Sequence, residues 1–597
     1  MATLRISPQQ GIPSFLYQLY FAGTSYIRGK YYLWELKRTW KNPRYAQEQF
    51  LMRVLEENGD TDYGRKFKLK NVQSVEDFRK RHPLTTYEDY KPFVERAMAG
   101  ERGVMTQALP DAFIQTSGTT GPSKYFPRRN NMHSLTKTYD IIYTDIHNLC
   151  PRLGLLQKKV YLYVHPEIST TPSGVSIRSA MAFYEEDGFV GTCYSTPPAG
   201  FLIHSLNEAN YVHLLFALLN PNIGVIGCSF LGSIDTMMRQ LERWWEDIVY
   251  DIEHGTINEK VEFDDAAIRS SLERNLGNGQ PERAGELRCQ FMNGFDCSIM
   301  KRLWPKLEVL QAIDNSDVWP DLREKYAKGI AFVNAGYGCS EEIGLAHSPW
   351  FYDDNRSMVF WLNAAFYEFI KLADSEESQP KTLLIDELEI GQEYEIVLTQ
   401  DSGLYRYRIR DVLRITGYHY NCPTFEFMYR MGLTLNVRYE KTNQVVLQQG
   451  LQAAVGRFNG VRLVEYAVAE STLIPKSSSA FEENEDMPYY VMFLELDQDD
   501  TSNENKEFAV TNANEITTVI DKELCERNSD YKKLRRDGSI SRPRVHITKA
   551  GAFEQLRQRV VQTTSTTANQ YKVQRRIRSV DTLNFMYTHV FGSSTTD

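Results

Sequence analysis

The stretch Thr116-Ser117-Gly118-Thr119-Thr120-Gly121-Pro122-Ser123-Lys124 decides how this chain is read. Hydroxyl side chains, two glycines and a lysine stand within nine residues. Glycine lets a loop take φ > 0 and lets its backbone come close to a ligand. Closely spaced N–H groups in such a loop make a concavity for anions. The hydroxyls add donors and Lys124 adds a mobile positive charge, which together suit a polyphosphate. The spacing is not that of a Walker A loop, which needs Gly, four residues, then Gly-Lys-Ser/Thr. Here Lys124 comes three residues after Gly121, with Pro122 between them. A polar turn between two strands is the alternative reading.

The 597 residues exceed one ordinary core, so two or more domains are expected. With 42% hydrophobic and 24% charged residues, the balance is that of a globular protein. A net charge of −9 disfavours general nucleic-acid binding. No two of the eight cysteines form a CxxC pair, so neither a zinc site nor a disulfide framework is expected. A reduced compartment follows, and a cytoplasmic location. The N-terminus has no apolar signal core. The aromatic segment Phe15–Trp40 is interrupted by Arg28, Lys30, Lys37 and Arg38. It cannot span a bilayer as ~20 apolar residues would, so stable membrane insertion is not expected. A packed amphipathic helix is the default there, and peripheral membrane contact the alternative.

Along the chain, Phe50, Leu51, Val54 and Leu55 fall on one helical face. Pro83–Tyr90 reads as a loop leading into a capped helix. Val160–Val164, Trp304–Leu310 and Gly329–Ala335 read as strands, and Thr171–Gly174 as a turn. The stripe from Met237 to Ile252 has helical spacing and belongs to a core. Strands and helices alternate, so a mixed α/β domain is expected. After Arg430 the composition shifts to a smaller unit. Its strands are expected near Val461–Val468, Tyr489–Leu496 and Arg544–Ile547, and its helices at Glu515–Glu526 and Phe553–Val561. Asp497–Lys506 reads as a solvated loop.

Two further clusters carry chemistry. Tyr337-Gly338-Cys339-Ser340-Glu341-Glu342 follows a strand, where α/β ligands usually bind. A carboxylate there offers the oxygen that Mg²⁺ prefers, or else the two acids simply open a helix. Gly403–Asp411 holds one acid among arginines. Asp411 could accept ribose hydroxyls, as acids do in dinucleotide folds. Alternatively it pairs with Arg408 or Arg414 as a minor surface bridge.

Taken together, the clusters carry a resemblance. Thr116–Lys124 resembles the phosphate loop Thr-Ser-Gly-Thr/Ser-Thr-Gly-x-Pro-Lys of the adenylate-forming enzymes, and Tyr337–Glu341 their Tyr-Gly-x-Thr-Glu motif. Leu404–Asp411 looks like the Gly-Leu-Tyr-Arg-Tyr-Arg-x-Gly-Asp of one branch, the plant acyl-acid amido synthetases of the Gretchen Hagen auxin-responsive family. The similarity returns at Gly551–Glu554 and Gln570-Tyr571-Lys572, and runs from about residue 45 to 580.

The resemblance implies a large N-terminal mixed α/β adenylation domain, residues 1–430, and a smaller mobile α+β C-terminal lid domain, residues 431–597. It implies that Thr116, Ser117, Gly118, Thr119, Thr120, Gly121 and Lys124 hold ATP phosphates. Tyr337 and Gly338 should line the adenine pocket, and Ser340 should face nucleotide and acyl group. Glu341 should hold Mg²⁺, Asp411 the ribose, and Arg430 the hinge beside the nucleotide. Lys572 should neutralise charge during adenylation. Three positions depart from the pattern. Arg410 stands where the family has Gly, at a place expected to need φ > 0. Glu440–Gln444 is less acidic than its counterpart, and Gln574 replaces a Pro.

The expected chemistry has two steps. A carboxylate attacks the α-phosphorus of ATP, giving acyl-AMP and pyrophosphate, and an amine such as an amino acid then displaces AMP. Preorganised N–H groups, Mg²⁺, Lys124 and Lys572 would answer the repulsion between anion and polyanion. His347 and His419 lie near the second and third clusters but read as structural. A thioester-forming ligase using coenzyme A shares the adenylation motifs and stays open. So does a nucleotide-binding regulatory protein that has lost catalysis.

Overall fold

The computed structural model describes residues 12–116, 123–129, 131–166, 168–180, 193–313, 322–342, 344–351, 355–431, 435–438, 440, 442, 444–458, 461–474, 487–498, 504–563, 573 and 575–593. These residues form two compact units. The larger takes those up to Phe427 except Ser123 and Arg410–Val412, and the smaller takes these and the rest from Met428.

In the larger unit one sheet has the order β2-β1-β5-β4, with β1 at Ala112–Gln115, β2 at Tyr125–Arg128, β4 at Ser169–Thr170 and β5 at Ser176–Arg178. A second, fully parallel sheet has the order β3-β6-β7-β8, at Lys158–Leu162, Ile223–Phe230, Val309–Ile313 and Ala331–Asn334. Parallel strands are covered on both faces, so they read as unbroken apolar runs, as Ile223–Phe230 does. The crossover helix α4 (Gly232–His254) turns Met237, Met238, Leu241, Ile248 and Ile252 into the core. The strand expected from Trp304 starts later, at Val309. Trp304 instead closes the helix Ile299–Leu303, and its indole donates to Ala217 O at 2.8 Å. Pro305, which lacks an N–H, follows it.

The third sheet has seven strands in the order β12-β11-β13-β14-β15-β10-β9. Here β9 is Ala346–His347, β10 Met358–Phe360, β11 Phe366–Lys371, β12 Thr382–Leu383, β13 Glu393–Thr399, β14 Tyr407–His419 and β15 Cys422–Arg430. The loop Pro83–Thr86 lies along it: Thr85 N donates to Arg406 O and Arg408 N to Thr85 O, both at 2.9 Å. A capping box, Thr86 with Asp89, then starts α2 (Tyr87–Met98).

The helix α1 (Ile12–Lys41) packs on α3 (Asn131–Leu149) by its inner face. Gly29 allows the close approach: a Cβ there would stand 2.2 Å from Asp140 O. Arg28 Nε meets the buried Asp140 carboxylate at 2.7 Å. Among the described residues no helix is long and apolar enough to cross a membrane.

The smaller unit carries the sheet β16-β17-β18-β19, at Val461–Glu470, Tyr490–Gln498, Arg544–Thr548 and Val590–Ser593. Its central strand is buried on both faces. Tyr490, Met492 and Leu494 enter one core, with the helices Gln444–Val455 and Glu504–Arg527. Val491 and Phe493 enter another, with Ala552–Thr563 and Val580–Thr588. The solvated loop expected over Asp497–Lys506 is shorter: Asp497 and Gln498 still belong to β17, and Glu504–Lys506 open a helix.

Lys159 on β3 is the unusual buried charge of the larger unit. Its ammonium lies 3.8 Å from the centre of the Tyr143 ring on α3. Burial lowers its pKa to about 7. In the unfolded chain a lysine titrates near 10.4, so between those values the unfolded chain binds more protons and stability rises with pH. The penalty is full below about pH 7 and vanishes above the unfolded value. Lys159→Met is therefore expected to raise the melting temperature most at pH 6–7, by a free-energy gain of a few kcal/mol that shrinks towards pH 10. Melting curves of both proteins across that range check it, and a pH-independent difference would contradict it.

Candidate active site

Thr116 leaves β1 and Lys124 enters β2, so the first motif spans a hairpin of an antiparallel pair. The neck of the hairpin is closed twice. Thr116 N donates to Lys124 O at 2.9 Å, and Lys124 N donates to Thr116 Oγ1 at 2.9 Å. Ser117, Gly118, Thr119, Thr120, Gly121 and Pro122 lie outside the described residues. The Lys124 ammonium stands 5.4 Å from the Tyr87 ring. The Tyr87 hydroxyl accepts from Tyr125 N at 3.0 Å, which fixes that ring beside the loop. Among the described residues no carboxylate pairs with Lys124, so its charge is available to a phosphate.

The second motif follows the carboxyl end of β8. Asn334 Oδ1 accepts from Gly336 N at 3.1 Å. Gly336 has φ +119°, and a Cβ there would lie 2.3 Å from Ala346 O, so only glycine fits. Tyr337 then pairs with Ala346 and shows its ring to two aromatics of β15: Phe425 edge-on at 5.8 Å and Phe427 stacked at 5.9 Å. Gly338 is exposed, Ser340 half-buried and Glu341 buried. The helix start considered for Glu341 and Glu342 is absent. Cys339 N donates to Glu342 O at 2.9 Å, and the segment turns as a loop.

One side chain joins the two motifs. Arg128, the last residue of β2, donates through Nη2 to Ser340 O at 3.0 Å and places Nη1 2.7 Å from Glu342 Oε2. Both side chains are almost fully buried. The two adjacent acids thus differ. Glu342 is spent on Arg128, while no ion pair or hydrogen bond engages Glu341 among the described residues. An uncommitted buried carboxylate suits Mg²⁺, which takes one or two protein carboxylates and completes its shell with phosphate and water. Among the described residues no cluster of three acidic, histidine or cysteine groups could hold a metal alone.

The third motif divides by function. Tyr405, Arg406, Tyr407 and Arg408 are buried scaffold. Arg406 grips Glu368 through Nε at 2.9 Å and Nη2 at 3.0 Å, and Arg408 meets Glu395 at 2.6 Å. Tyr405 stacks on Tyr63 at 5.2 Å, and its backbone N–H and C=O both bond the Tyr90 hydroxyl. In the smaller unit Asp411, 2% exposed, receives both arms of Arg430, at 2.6 and 3.1 Å. The pairing considered with Arg408 or Arg414 does not form, since Arg414 turns to Glu393 at 2.8 Å. Arg410 keeps the left-handed backbone expected of a glycine, with φ +66°.

His347 is structural. Its Nδ1 accepts from the Trp361 indole at 2.7 Å, which places the proton on Nε2, 2.9 Å from Asp145 Oδ2. His419 packs edge-on against Trp40 and Trp350, and burial lowers its pKa. Lys572 lies outside the described residues. The residues that sequence reasoning passed over are Arg128 and Tyr87. Neither belongs to a recognisable motif, and only their partners across the fold reveal them.

The hairpin clamped at its neck and tied to a strand-end acid stands on a large mixed α/β unit, and sequence comparison places the chain in a family. The GH3 family N-terminal domain matches residues 33–321, the GH3 family central domain residues 358–430 and the GH3 family C-terminal domain residues 446–581. The chain belongs to the GH3 family. It is 25% identical over 575 residues to an indole-3-acetic acid-amido synthetase of Arabidopsis thaliana, covering 93% of this chain and 92% of the relative. It is 27% identical over 576 residues to a 4-substituted benzoates-glutamate ligase of the same plant, covering 93% and 96%. The solved AtGH3.15 acyl acid amido synthetase, in complex with 2,4-DB, matches in fold with a TM-score of 0.80 at 23% identity, over 95% of this chain and 97% of that one.

A non-glycine residue in the left-handed region costs roughly 1–2 kcal/mol, and a glycine there loses part of this gain to unfolded-state entropy. Arg410→Gly is therefore expected to leave stability equal or up to about 1 kcal/mol higher. Arg410→Val, β-branched, is expected to lower it by about 1–2 kcal/mol. Thermal melts of the two variants beside the parent decide it, and a Val variant as stable as the parent would contradict the strain.

Proposed function

We propose that the protein is an ATP-dependent acyl-acid amido synthetase. It activates a small carboxylic acid as its acyl-adenylate with release of pyrophosphate, then passes the acyl group to an amine, an amino acid by preference. The observation that carries the reading is Lys124. It is a half-buried ammonium without a carboxylate partner among the described residues, at the neck of a Gly/Thr loop that Arg128 ties to the segment bearing Glu341.

We assign Thr116 through Gly121 and Lys124 to the ATP phosphates, Tyr337, Gly338 and Ser340 to the nucleotide, and Glu341 to the metal. Bound there, Mg²⁺ would neutralise phosphate charge as the carboxylate attacks. Lys124 supplies the fixed positive charge, and Lys572 of the smaller unit is assigned the second. Asp411, its charge balanced by Arg430, is assigned to the ribose hydroxyls. Residues 1–430 then serve as the adenylating domain and 431–597 as the lid. None of the eight cysteines is in a disulfide, which fits a cytoplasmic enzyme.

The test is pyrophosphate release from ATP and Mg²⁺ with aryl, indole and fatty acids, first without an amine and then with mixed amino acids. Acid-dependent release that amino acids accelerate is expected, with Lys124→Ala slower by ~10²–10³. Acceleration by coenzyme A alone would move the protein to thioester formation. ATP binding without acid-dependent release would overturn the ligase reading.

A further inference from the structure

The outer face of α1 is left over by everything described so far. Leu16, Tyr20, Ile27, Tyr31 and Trp34 are 52–70% exposed. Their spacing keeps them within one ~60° sector of the helix at 100° per residue. Large apolar side chains gathered on one exposed stripe mark a contact surface, because scattered ones would not align. The inner face is fully engaged by Gly29, Arg28 and the buried Leu33, Leu36 and Trp40, so the helix is held in place with this stripe outward. Most of α1 also precedes residue 33, where the match to the family's N-terminal domain begins.

The charges decide the occupant. In a chain of net charge −9, α1 carries five basic residues and one acid. Lys30, Lys37, Arg38 and Lys41 are exposed on or beside the stripe, and Arg38 lies 4.8 Å over the Trp34 ring. The one acid, Glu35, is half-buried and accepts from the Tyr31 hydroxyl at 3.1 Å. The stripe continues beyond the helix end, where Lys41 lies 6.0 Å from the exposed Tyr420 ring. Aromatic and aliphatic side chains bordered by cations, without an exposed acid, are the composition of a helix that rests in a lipid headgroup layer.

We propose that α1 lays this face on an anionic lipid surface, docking the protein there without crossing it. Tyr and Trp rings would enter the headgroup region, and each cation near the surface strengthens binding roughly fivefold. The proposal does not depend on the ligase reading.

The full-length protein is sedimented with vesicles of phosphatidylcholine, with and without phosphatidylserine, at low and high salt. Binding to the phosphatidylserine vesicles alone, lost at high salt, is expected. Lys37→Glu with Arg38→Glu should weaken it by roughly 25-fold or more. Ile27→Ser with Trp34→Ser should also abolish it, and all these variants should keep the parent's melting temperature. Absence of binding, or equal binding to both vesicles, overturns the proposal. So does a concentration-dependent dimer, seen by light scattering and lost in the Ile27/Trp34 variant, since the face would then belong to a second copy.

Discussion

The candidate site depends on the guanidinium of Arg128. It is buried, it ends β2, and it holds the carbonyl of Ser340 and the carboxylate of Glu342. Removing one partner of such a buried pair typically costs about 3–5 kcal/mol, because the other charge stays uncompensated. The bond fixes where the first motif stands relative to the second. Lys124 lies four residues before Arg128 in the chain, and Glu341 is next to Glu342, at the two ends of this bond. Preorganisation of this kind makes charges effective in a transition state, because nothing has to reorganise when the reaction occurs.

A second set of buried charges supports the first. Arg406 and Arg408 are scaffold, each closed on a glutamate of the seven-stranded sheet. Their burial also explains why the loop Pro83–Thr86, distant in sequence, is pinned to the same strand, with Arg406 Nη1 donating to His82 O at 2.5 Å. Two arginines here carry positive φ, Arg406 at +47° and Arg410 at +66°. For Arg406 the ion pair and the carbonyl contacts over-determine the strained backbone. Strain of this kind persists only where surrounding structure holds it, and it clusters at functional sites.

Much of the architecture was legible in the sequence. Val160–Val164 and Tyr489–Leu496 read as strands, and Lys158–Leu162 and Tyr490–Gln498 are strands there. The helical stripe from Met237 to Ile252 and the capped start at Thr86 are where their spacing put them. Local periodicity failed where local composition misled. Trp304 is apolar but closes a helix, and Glu504–Lys506 are polar but begin one. In each case packing outweighed the composition of a few residues.

The sequence by itself determined the motifs, their order and the family pattern, because each is a short run of residue types with its own chemistry. It also determined that Arg410 occupies a position whose backbone is left-handed. Only the tertiary structure decided which charges remain available. Glu341 and Glu342 are alike in residue type and differ in sequence only by motif position, and the arginines around Asp411 are alike as well. Arg128 takes Glu342 and leaves Glu341, and Arg430 takes Asp411 while Arg408 takes Glu395. The reason is physical. A buried charge must find a partner across the fold, and that partner lies 19 or 214 residues away along the chain for Asp411 and Glu342.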